Sequence, residues 1–209
     1  MGVYGDQVLP RLTNLMLGSK EFGEKIRARA TAGLHGDVIE IGFGSGLNMP
    51  YYPPEMTGVW IVEPSEVALK VAQARIAASP VTVHPGELDG ARLDFPDDRF
   101  DAALSTMTLC TIPDVDAALR ELRRVLKPGA MFHFAEHGLA PDAKVARTQH
   151  RFDPWQMRFA GGCRLARDMR ALLGAAGFEI DELDTRFVKG PKAWSYMYVG
   201  RARNPVTAA

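Results

Sequence analysis

Three glycines and an acidic residue in the first third of the sequence have the spacing of a nucleotide-binding turn. Gly42, Gly44 and Gly46 directly follow a short apolar run over residues 38–41. Glycines at such a turn let the backbone reverse sharply and let a ligand approach the main chain with no Cβ in the way. Glu63 follows about 20 residues later, where doubly wound folds place an acid that accepts hydrogen bonds from ribose hydroxyls. The pattern predicts a nucleotide site at the end of the first strand.

The spacing and the charge of this stretch favour S-adenosylmethionine over a dinucleotide. Leu47 occupies the position where a Gly-x-Gly-x-x-Gly fingerprint needs its last glycine. Glu40 precedes the first glycine by two residues, where a carboxylate would repel a pyrophosphate but attract a cation. S-adenosylmethionine carries an ammonium and a sulfonium, and no phosphate. The alternatives are a tight turn without a ligand and, for Glu63, a charge at a helix terminus.

A further acidic position lies just beyond the third predicted strand. An acid there can accept a hydrogen bond from the adenine amino group. Glu87 is our first candidate and Asp89 the second. An exposed acidic turn is the alternative for both residues.

Histidines and an aspartate in the second half of the chain are candidates for moving a proton. His137 is the first, because it follows the fifth predicted strand and strand ends line the site in open α/β sheets. Its imidazole titrates near neutral pH, as a general base requires. His150 and Asp153 come next, and structural roles are the alternative for all three.

No metal site is predicted from these residues. His133, Glu136 and His137 lie close in sequence, but on a strand the side chain of Glu136 points away from both histidines. Cys110 and Cys163 are interpreted as small core residues rather than nucleophiles.

Alternating strands and helices are predicted to position these groups. The predicted strands are residues 38–41, 58–62, 81–84, 102–106, 131–135, 178–188 and 193–201. Helices are predicted at 8–17, 20–32, 66–78, from 114 to about 127, and at 165–176, with Ser65 and Asp114 as N-caps. We expect an α/β fold, a Rossmann-like, seven-stranded, mostly parallel sheet with an antiparallel C-terminal hairpin and helices on both faces.

The chain is predicted to consist of an N-terminal segment and one domain that carries an insertion. Residues 1–35 form an N-terminal helical segment, and residues 36–209 the ligand-binding domain. Core packing, a lid over the site and a membrane-surface contact are the alternatives for the first helix. The charges of the second helix are interpreted as a solvated face. Residues 141–163 show no clean period and are predicted to be an insertion that caps the substrate.

The composition argues against several classes of protein. The 209 residues suit one domain, and a net charge of zero shows no basic footprint for nucleic acid. The two cysteines are far apart and predicted free, which favours a reducing cytoplasm. We find neither a secretory signal nor an apolar run near the roughly 18 residues of a membrane span.

These motifs, in this order, resemble the class I S-adenosylmethionine-dependent methyltransferases. The resemblance covers residues 36–203. Residues 40–46 match the first motif of that family, Glu63 its ribose acid, Phe100-Asp101 with Ser105 its fourth strand, and 119–129 the helix and turn before its fifth strand. The resemblance implies S-adenosyl-L-methionine as cofactor. It implies the following cofactor-binding residues: Glu40, Gly42, Phe43, Gly44, Gly46, Asn48, Glu63, Pro64, Glu87, Leu88, Ser105 and Thr106.

A narrower similarity points to the branch that includes alkyl thiol S-methyltransferases. The matching positions are 44–48 with Tyr52-Pro53, 108–110, Glu136-His137, 153–155, Gly162-Cys163 with Leu165, and Gly190-Pro191. The first residues do not show the apolar anchor of that branch.

The resemblance implies methyl transfer to a small, apolar acceptor, with a thiol among the candidates. The alternatives are a lipid or quinone methyltransferase at a membrane surface and a cofactor-binding protein without activity. We expect a small-molecule acceptor and no nucleic-acid partner. We expect no integral membrane insertion, leave peripheral contact open, and expect a monomer or homodimer.

Overall fold

A computed structural model describes residue 19 and residues 22–86 and 90–206. The strands are β1 (Gly36–Ile41), β2 (Met56–Val62), β3 (Thr82–Pro85), β4 (Phe100–Thr106), β5 (Leu126–His137), β6 (Glu179–Phe187) and β7 (Tyr196–Arg203). The helices are α1 (a π-helical turn Gly23–Arg27 that continues as Ala28–Thr31), α2 (Glu66–Ala78), α3 (Val115–Val125), α4 (Ala143–Phe159) and α5 (Met169–Ala175). Short 3₁₀ turns cover Met49–Tyr51 and Lys192–Trp194.

The strands form one seven-stranded sheet in the order β3-β2-β1-β4-β5-β7-β6. Strands β1 to β5 pair in parallel, and β7 runs antiparallel between β5 and β6. The carboxyl ends of β1, β2, β4 and β5 therefore meet at one edge. The predicted fold class, including the antiparallel C-terminal hairpin, is confirmed.

Two hydrophobic cores lie on opposite faces of the sheet because strand residues alternate. Ile39 of β1 packs in one core with α3 and α5, whereas Val38 packs in the other with α1 and α2. Both side chains are fully buried. Side chains of β1 are buried on both faces, as expected of a parallel sheet covered by helices on both sides.

Capping residues predict where helices α2 and α3 begin. Ser65 caps α2 by accepting from the N–H of Ala68 at 3.2 Å. Asp114 caps α3 by accepting from the N–H of Ala117 at 2.9 Å. Both predicted caps are confirmed. Strand β5 is longer than predicted, because residues 126–130 continue the strand rather than form a turn.

The largest difference from the predicted elements is α4. Residues 141–163, which show no clean period in the sequence and for which no helix is predicted, form mainly this 17-residue helix, capped by Asp142. Its apolar pattern is obscured because large apolar residues face solvent: Phe152, Trp155, Met157 and Phe159. Pro154 within the helix adds a signal that normally ends one.

The amino-terminal predictions are only partly covered by the described residues. The helix predicted at 8–17 lies outside them. Of the helix predicted at 20–32, α1 covers residues 23–31. Among the described residues, no helix combines the length and the apolar composition that crossing a bilayer requires.

Candidate functional site

The glycine loop after β1 is crowded at Gly42 and Gly46 and open at Gly44. Gly42, Gly44 and Gly46 all have positive φ angles, of 74°, 58° and 74°. A Cβ on Gly42 would lie 2.0 Å from Oγ1 of Thr108, so the loop packs tightly against the segment after β4. At Gly44 the nearest atom to such a Cβ is the carbonyl oxygen of Gly42, at 3.9 Å. Gly44 is therefore where a ligand can reach the main chain.

Glu63, directly after β2, links this loop to α2. Its Oε2 accepts a hydrogen bond from the N–H of Gly44 at 2.7 Å, and its Oε1 accepts one from the N–H of Ser65 at 2.8 Å. Burial raises the pKa of Glu63, although the two N–H donors act in the opposite direction. A carboxylate offers about four lone-pair positions. Two positions therefore stay available for hydroxyl donors such as those of a ribose.

Glu40, at the end of β1, is fully buried in a polar network. It accepts hydrogen bonds from Nδ2 of Asn48 at 2.8 Å and from the hydroxyl of Tyr52. Nη1 of Arg27 donates to Oδ1 of Asn48 at 2.6 Å and to Oγ1 of Thr106 at 3.1 Å. These five residues are called the Glu40 network below.

Burial dominates the electrostatics of the Glu40 network. It raises the pKa of Glu40 to about 7, against the effects of Tyr52, Asn48 and Arg27. It lowers the pKa of Arg27 to about 10. The negative charge of Glu40 is therefore incompletely stabilised, and a cation beside it would favour its ionised form.

The atoms available at this edge fit S-adenosylmethionine. Nε of Arg27 is buried and lacks a hydrogen-bond partner within the described residues, so it can donate to a carboxylate. The carboxylate of Glu40 suits an ammonium, and Glu63 has spare acceptor capacity. The open main chain at Gly44 lies beside Glu63, which its N–H contacts. The methionine part of this cofactor carries a carboxylate and an ammonium, and its ribose carries hydroxyls.

The other residues predicted to bind cofactor occupy varied environments. Phe43 is buried in the core, and Pro64 is exposed beside Glu63. Thr106 belongs to the Glu40 network, whereas the hydroxyl of Ser105 donates to Oε1 of Glu136 at 2.8 Å. Three predicted or alternative positions lie outside the described residues: Glu87, Leu88 and Asp89.

His137, at the end of β5, lies beside two cysteines. Its Nε2 is 3.0 Å from Sγ of Cys163. A nitrogen of His137 and the sulfurs of Cys110 and Cys163 all lie within 4.8 Å of one another. Both cysteines are free and buried. We call these three residues the cysteine–histidine cluster.

The cluster is polarised by its internal contacts. The thiol of Cys110 and the imidazole of His137 lower the pKa of Cys163, against the effect of burial. The hydrogen bond to Cys163 and burial raise the pKa of Cys110. Burial lowers the pKa of His137, but the hydrogen bond to Cys163 and the negative charges of Cys163, Glu136 and Asp153 together outweigh burial, so the net pKa is raised. Nδ1 of His137 is buried with no hydrogen-bond partner among the described residues.

Two loops bring the cysteines together. The N–H of Arg164 donates to the carbonyl oxygen of Cys110 at 2.9 Å, which joins the loop after α4 to the loop after β4. The guanidinium of Arg167 donates to the carbonyl oxygens of Leu109 and, at 2.6 Å, of Ile112. The backbone of both loops is therefore fixed around the cluster.

The remaining proton-transfer candidates make no described hydrogen bond to the cluster, although the charge of Asp153 helps to raise the pKa of His137. Oδ1 of Asp153 accepts from the N–H groups of Leu165 at 2.5 Å and Ala166 at 3.1 Å, so it anchors the loop that carries Cys163. His150 lies on α4 and is exposed.

Some site residues were not predicted from the sequence. Arg27 was interpreted as part of a solvated helix face, and this is wrong, because it is 5% exposed and bonded within the Glu40 network. Tyr52 was noted only in the narrower resemblance. The interpretation of the cysteines as plain core residues misses their contact with His137, and no local pattern in the sequence indicates that contact. The prediction that the side chain of Glu136 points away from the histidines of β5 agrees with the structure. Glu136 accepts hydrogen bonds from the hydroxyl of Ser105 and the N–H of Thr108.

Comparisons with known proteins agree with this geometry. The family model described as a methyltransferase domain matches residues 39–134. The chain is 28% identical to human thiol S-methyltransferase TMT1A over 203 residues, covering 92% of this chain and 76% of the relative. It is 30% identical to human thiol S-methyltransferase TMT1B over 170 residues, covering 77% of this chain and 68% of the relative.

A solved structure shares the fold. The structure of a SAM-dependent methyltransferase from Aquifex aeolicus aligns with a TM-score of 0.63 and 18% sequence identity. The alignment covers 93% of this chain and 97% of that one.

Proposed function

Because this chain belongs to the class I S-adenosylmethionine-dependent methyltransferases, we propose that it methylates a small apolar thiol. The observation that carries the choice of a thiol is the 30% identity to human thiol S-methyltransferase TMT1B over 170 residues. The cysteine–histidine cluster supports it, because it places groups that polarise a sulfur at the carboxyl edge of the sheet.

Four residues are proposed to hold the cofactor. Glu63 accepts from the ribose hydroxyls, and the main chain at Gly44 lies against the adenosine. Glu40 faces the ammonium, and Arg27 donates to the methionine carboxylate through Nε. S-adenosylmethionine supplies a methyl group on a positively charged sulfur, which makes that carbon open to attack by a nucleophile.

The chain must position the acceptor and help it lose a proton. A thiolate is the nucleophile, and a free thiol has a pKa near 8.5. Transfer requires the acceptor sulfur about 3 Å from the methyl carbon and in line with the bond that breaks. We propose that His137 handles the thiol proton within the cluster. Its Nε2 contacts Cys163, so Nδ1 is the nitrogen without a described partner.

Residues 1–35 and α4 are proposed to cover the acceptor. Exposed aromatic side chains on α4, such as Trp155 at 69% exposure, favour an apolar acceptor or a peripheral apolar surface over a highly charged one. A reducing compartment suits the free thiols of Cys110 and Cys163, and we propose the cytoplasm. The charge balance supports a small-molecule partner rather than nucleic acid.

An acceptor screen with labelled methyl donor tests this function. The purified full-length chain is incubated with 1-butanethiol, a phenol, a quinol and phospholipid vesicles, and the labelled products are separated. We expect the thiol to be methylated with the highest kcat/KM. A product from quinol or lipid alone would favour the membrane alternative. Binding of S-adenosylhomocysteine without any product would favour a binding protein.

A further inference from the structure

The cysteine–histidine cluster has the donor atoms and the spacing of a transition-metal site. Its two sulfurs and one nitrogen lie within 4.8 Å of one another. In a tetrahedral zinc site with Zn–S near 2.3 Å and Zn–N near 2.0–2.1 Å, ligand atoms are about 3.6–3.8 Å apart. The 3.0 Å separation of His137 Nε2 and Cys163 Sγ would have to widen by only about half an ångström to admit the ion.

Backbone contacts already hold the three ligands in place. His137 ends β5, in the interior of the sheet. Cys110 and Cys163 sit on loops that are joined by the hydrogen bond from Arg164 N–H to Cys110 O. Arg167 fixes the first loop through the carbonyl oxygen of Ile112. The ligands therefore need no large rearrangement to meet around an ion.

The donor set selects the kind of ion. Two cysteine sulfurs and an imidazole suit Zn²⁺ and similar ions, whereas Mg²⁺ and Ca²⁺ prefer oxygen ligands. Within the described residues the group has three members, Cys110, His137 and Cys163. Zinc sites that take part in reactions keep three protein ligands and leave the fourth position to water or substrate.

We propose that Cys110, His137 and Cys163 bind Zn²⁺ and that its fourth position takes the acceptor thiol. This inference rests on the proposed thiol methylation. Cys163 is 9% exposed, compared with 2% for Cys110 and 5% for His137, so the acceptor approaches from the side of Cys163. A thiol that coordinates zinc is deprotonated, which supplies the nucleophile at neutral pH.

The reaction balances with no further reagent. The acceptor loses its S–H proton to solvent when its sulfur binds the ion. A bond then forms between that sulfur and the methyl carbon while the bond from the methyl carbon to the donor sulfonium breaks. The bonding pair stays on the donor sulfur, which becomes a neutral thioether. His137 is a metal ligand here, so this proposal replaces its direct action as a base.

Cobalt substitution tests the site without relying on activity. The full chain is treated with chelator under reducing conditions and titrated with Co²⁺. We expect one equivalent to bind, with sulfur-to-cobalt charge-transfer bands in the near ultraviolet and the strong visible bands of tetrahedral Co²⁺. Zn²⁺ should displace it. Absence of these bands in the wild-type chain would overturn the proposal, whatever the variants do.

Variants assign the ligands. Cys110→Ser, Cys163→Ser and His137→Ala should each weaken Co²⁺ binding by more than the 10–100-fold that loss of an outer-shell partner costs. His35→Ala is the control, because His35 is exposed and lies outside the cluster. Circular dichroism checks that each variant is folded. Unchanged affinity in folded variants would contradict the assignment.

Added acceptor separates this inference from the proposed function. 1-Butanethiol should intensify the charge-transfer bands of the Co²⁺ form, because a third sulfur joins the ion. Unchanged bands would overturn thiol activation. Methylation of the thiol at full rate by metal-free protein would overturn the metal proposal and leave the proposed function standing. A metal-loaded protein whose bands respond to the thiol, but which never methylates it, would overturn the proposed function.

Discussion

Glu63 joins the glycine loop to α2 while keeping acceptor capacity for a ligand. Glu63→Gln preserves one carbonyl acceptor for the N–H of Gly44 but removes the charge. We expect this change to weaken binding of S-adenosylhomocysteine by about 1.5–3 kcal/mol, because charge-assisted hydrogen bonds to the ribose are lost. That corresponds to roughly 10–150-fold in Kd by isothermal titration.

Glu66→Gln is the matched control for this experiment. Glu66 is exposed and contacts only Lys70, at 4.0 Å, among the ion pairs described. The affinity of the Glu66→Gln variant for S-adenosylhomocysteine should equal that of the wild type. Equal affinity in the Glu63 variant as well would show that this carboxylate does not hold the ribose.

Glu40 should make cofactor binding depend on pH. Its pKa in the folded protein is raised to about 7, so near neutral pH the side chain is partly protonated. A bound ammonium favours the ionised form and lowers that pKa, so binding should release a proton. Titration calorimetry in buffers of different ionisation enthalpy measures this release. We expect up to about half a proton at pH 7, falling toward zero near pH 9.

The same raised pKa fixes the sign of the effect on stability. A carboxyl group whose folded pKa exceeds its unfolded value of 4.5 costs stability as pH rises from about 4.5 to about 7. The free energy of unfolding of Glu40→Gln, measured with urea, should therefore increase relative to that of the wild type as the pH is raised from 5 to 8. The variant should also abolish the proton release. A proton release that persists in Glu40→Gln would assign it to another group.

At the scale of elements, α4 and the loop after it are coupled through Asp153. Its Oδ1 accepts from the N–H groups of Leu165 and Ala166. Asp153→Asn keeps that oxygen and should bind Co²⁺ and methylate thiols close to wild-type levels. Asp153→Ala should weaken Co²⁺ binding about 10–100-fold, as loss of an outer-shell contact does. If Asp153 were instead a general base, the Asn variant would lose activity as severely as the Ala variant.

Asp116→Ala is the control for the Asp153 variants, because Asp116 is an exposed acid on a different helix, α3. Both Asp153 variants need a folding check by circular dichroism. A structural role is supported only if rescue by Asn is seen in metal binding and activity together.

Elements were predictable where sequence signals are local. Ser65 and Asp114 cap their helices through bonds to an N–H three residues away, and a short window of sequence contains both partners. Helix α4 was not predictable in this way. Its residues Trp155 and Phe159 contact each other on an exposed surface rather than mark a buried face. Apolar periodicity reports burial, so a helix with exposed aromatic residues gives no clear period.

At the scale of the whole molecule, the fold class followed from the alternation of strands and helices along the sequence, but the site did not follow completely. The glycine loop and Glu63 belong to a motif with fixed spacing, and both were predicted. Arg27 meets Thr106 across 79 residues, and its burial depends on how α1 packs on the sheet. The cysteines meet because two irregular loops bond to each other. Contacts of this kind depend on tertiary packing, which no short window of sequence records.

Cofactor binding should stabilise the entire chain, because the proposed contacts come from α1, β1 and the segment after β2, which pack in one sheet assembly. A ligand that binds only the folded state at about 100 times its Kd adds about 2.7 kcal/mol to the free energy of unfolding. For a chain of 209 residues this corresponds to a rise in Tm of roughly 5–10 °C. S-adenosylhomocysteine should produce this rise, and NAD at the same concentration should not, because Glu40 and the Leu47 spacing disfavour a pyrophosphate. Glu63→Gln should reduce the rise at fixed ligand concentration. A larger rise with NAD than with S-adenosylhomocysteine would contradict the assignment of the glycine loop.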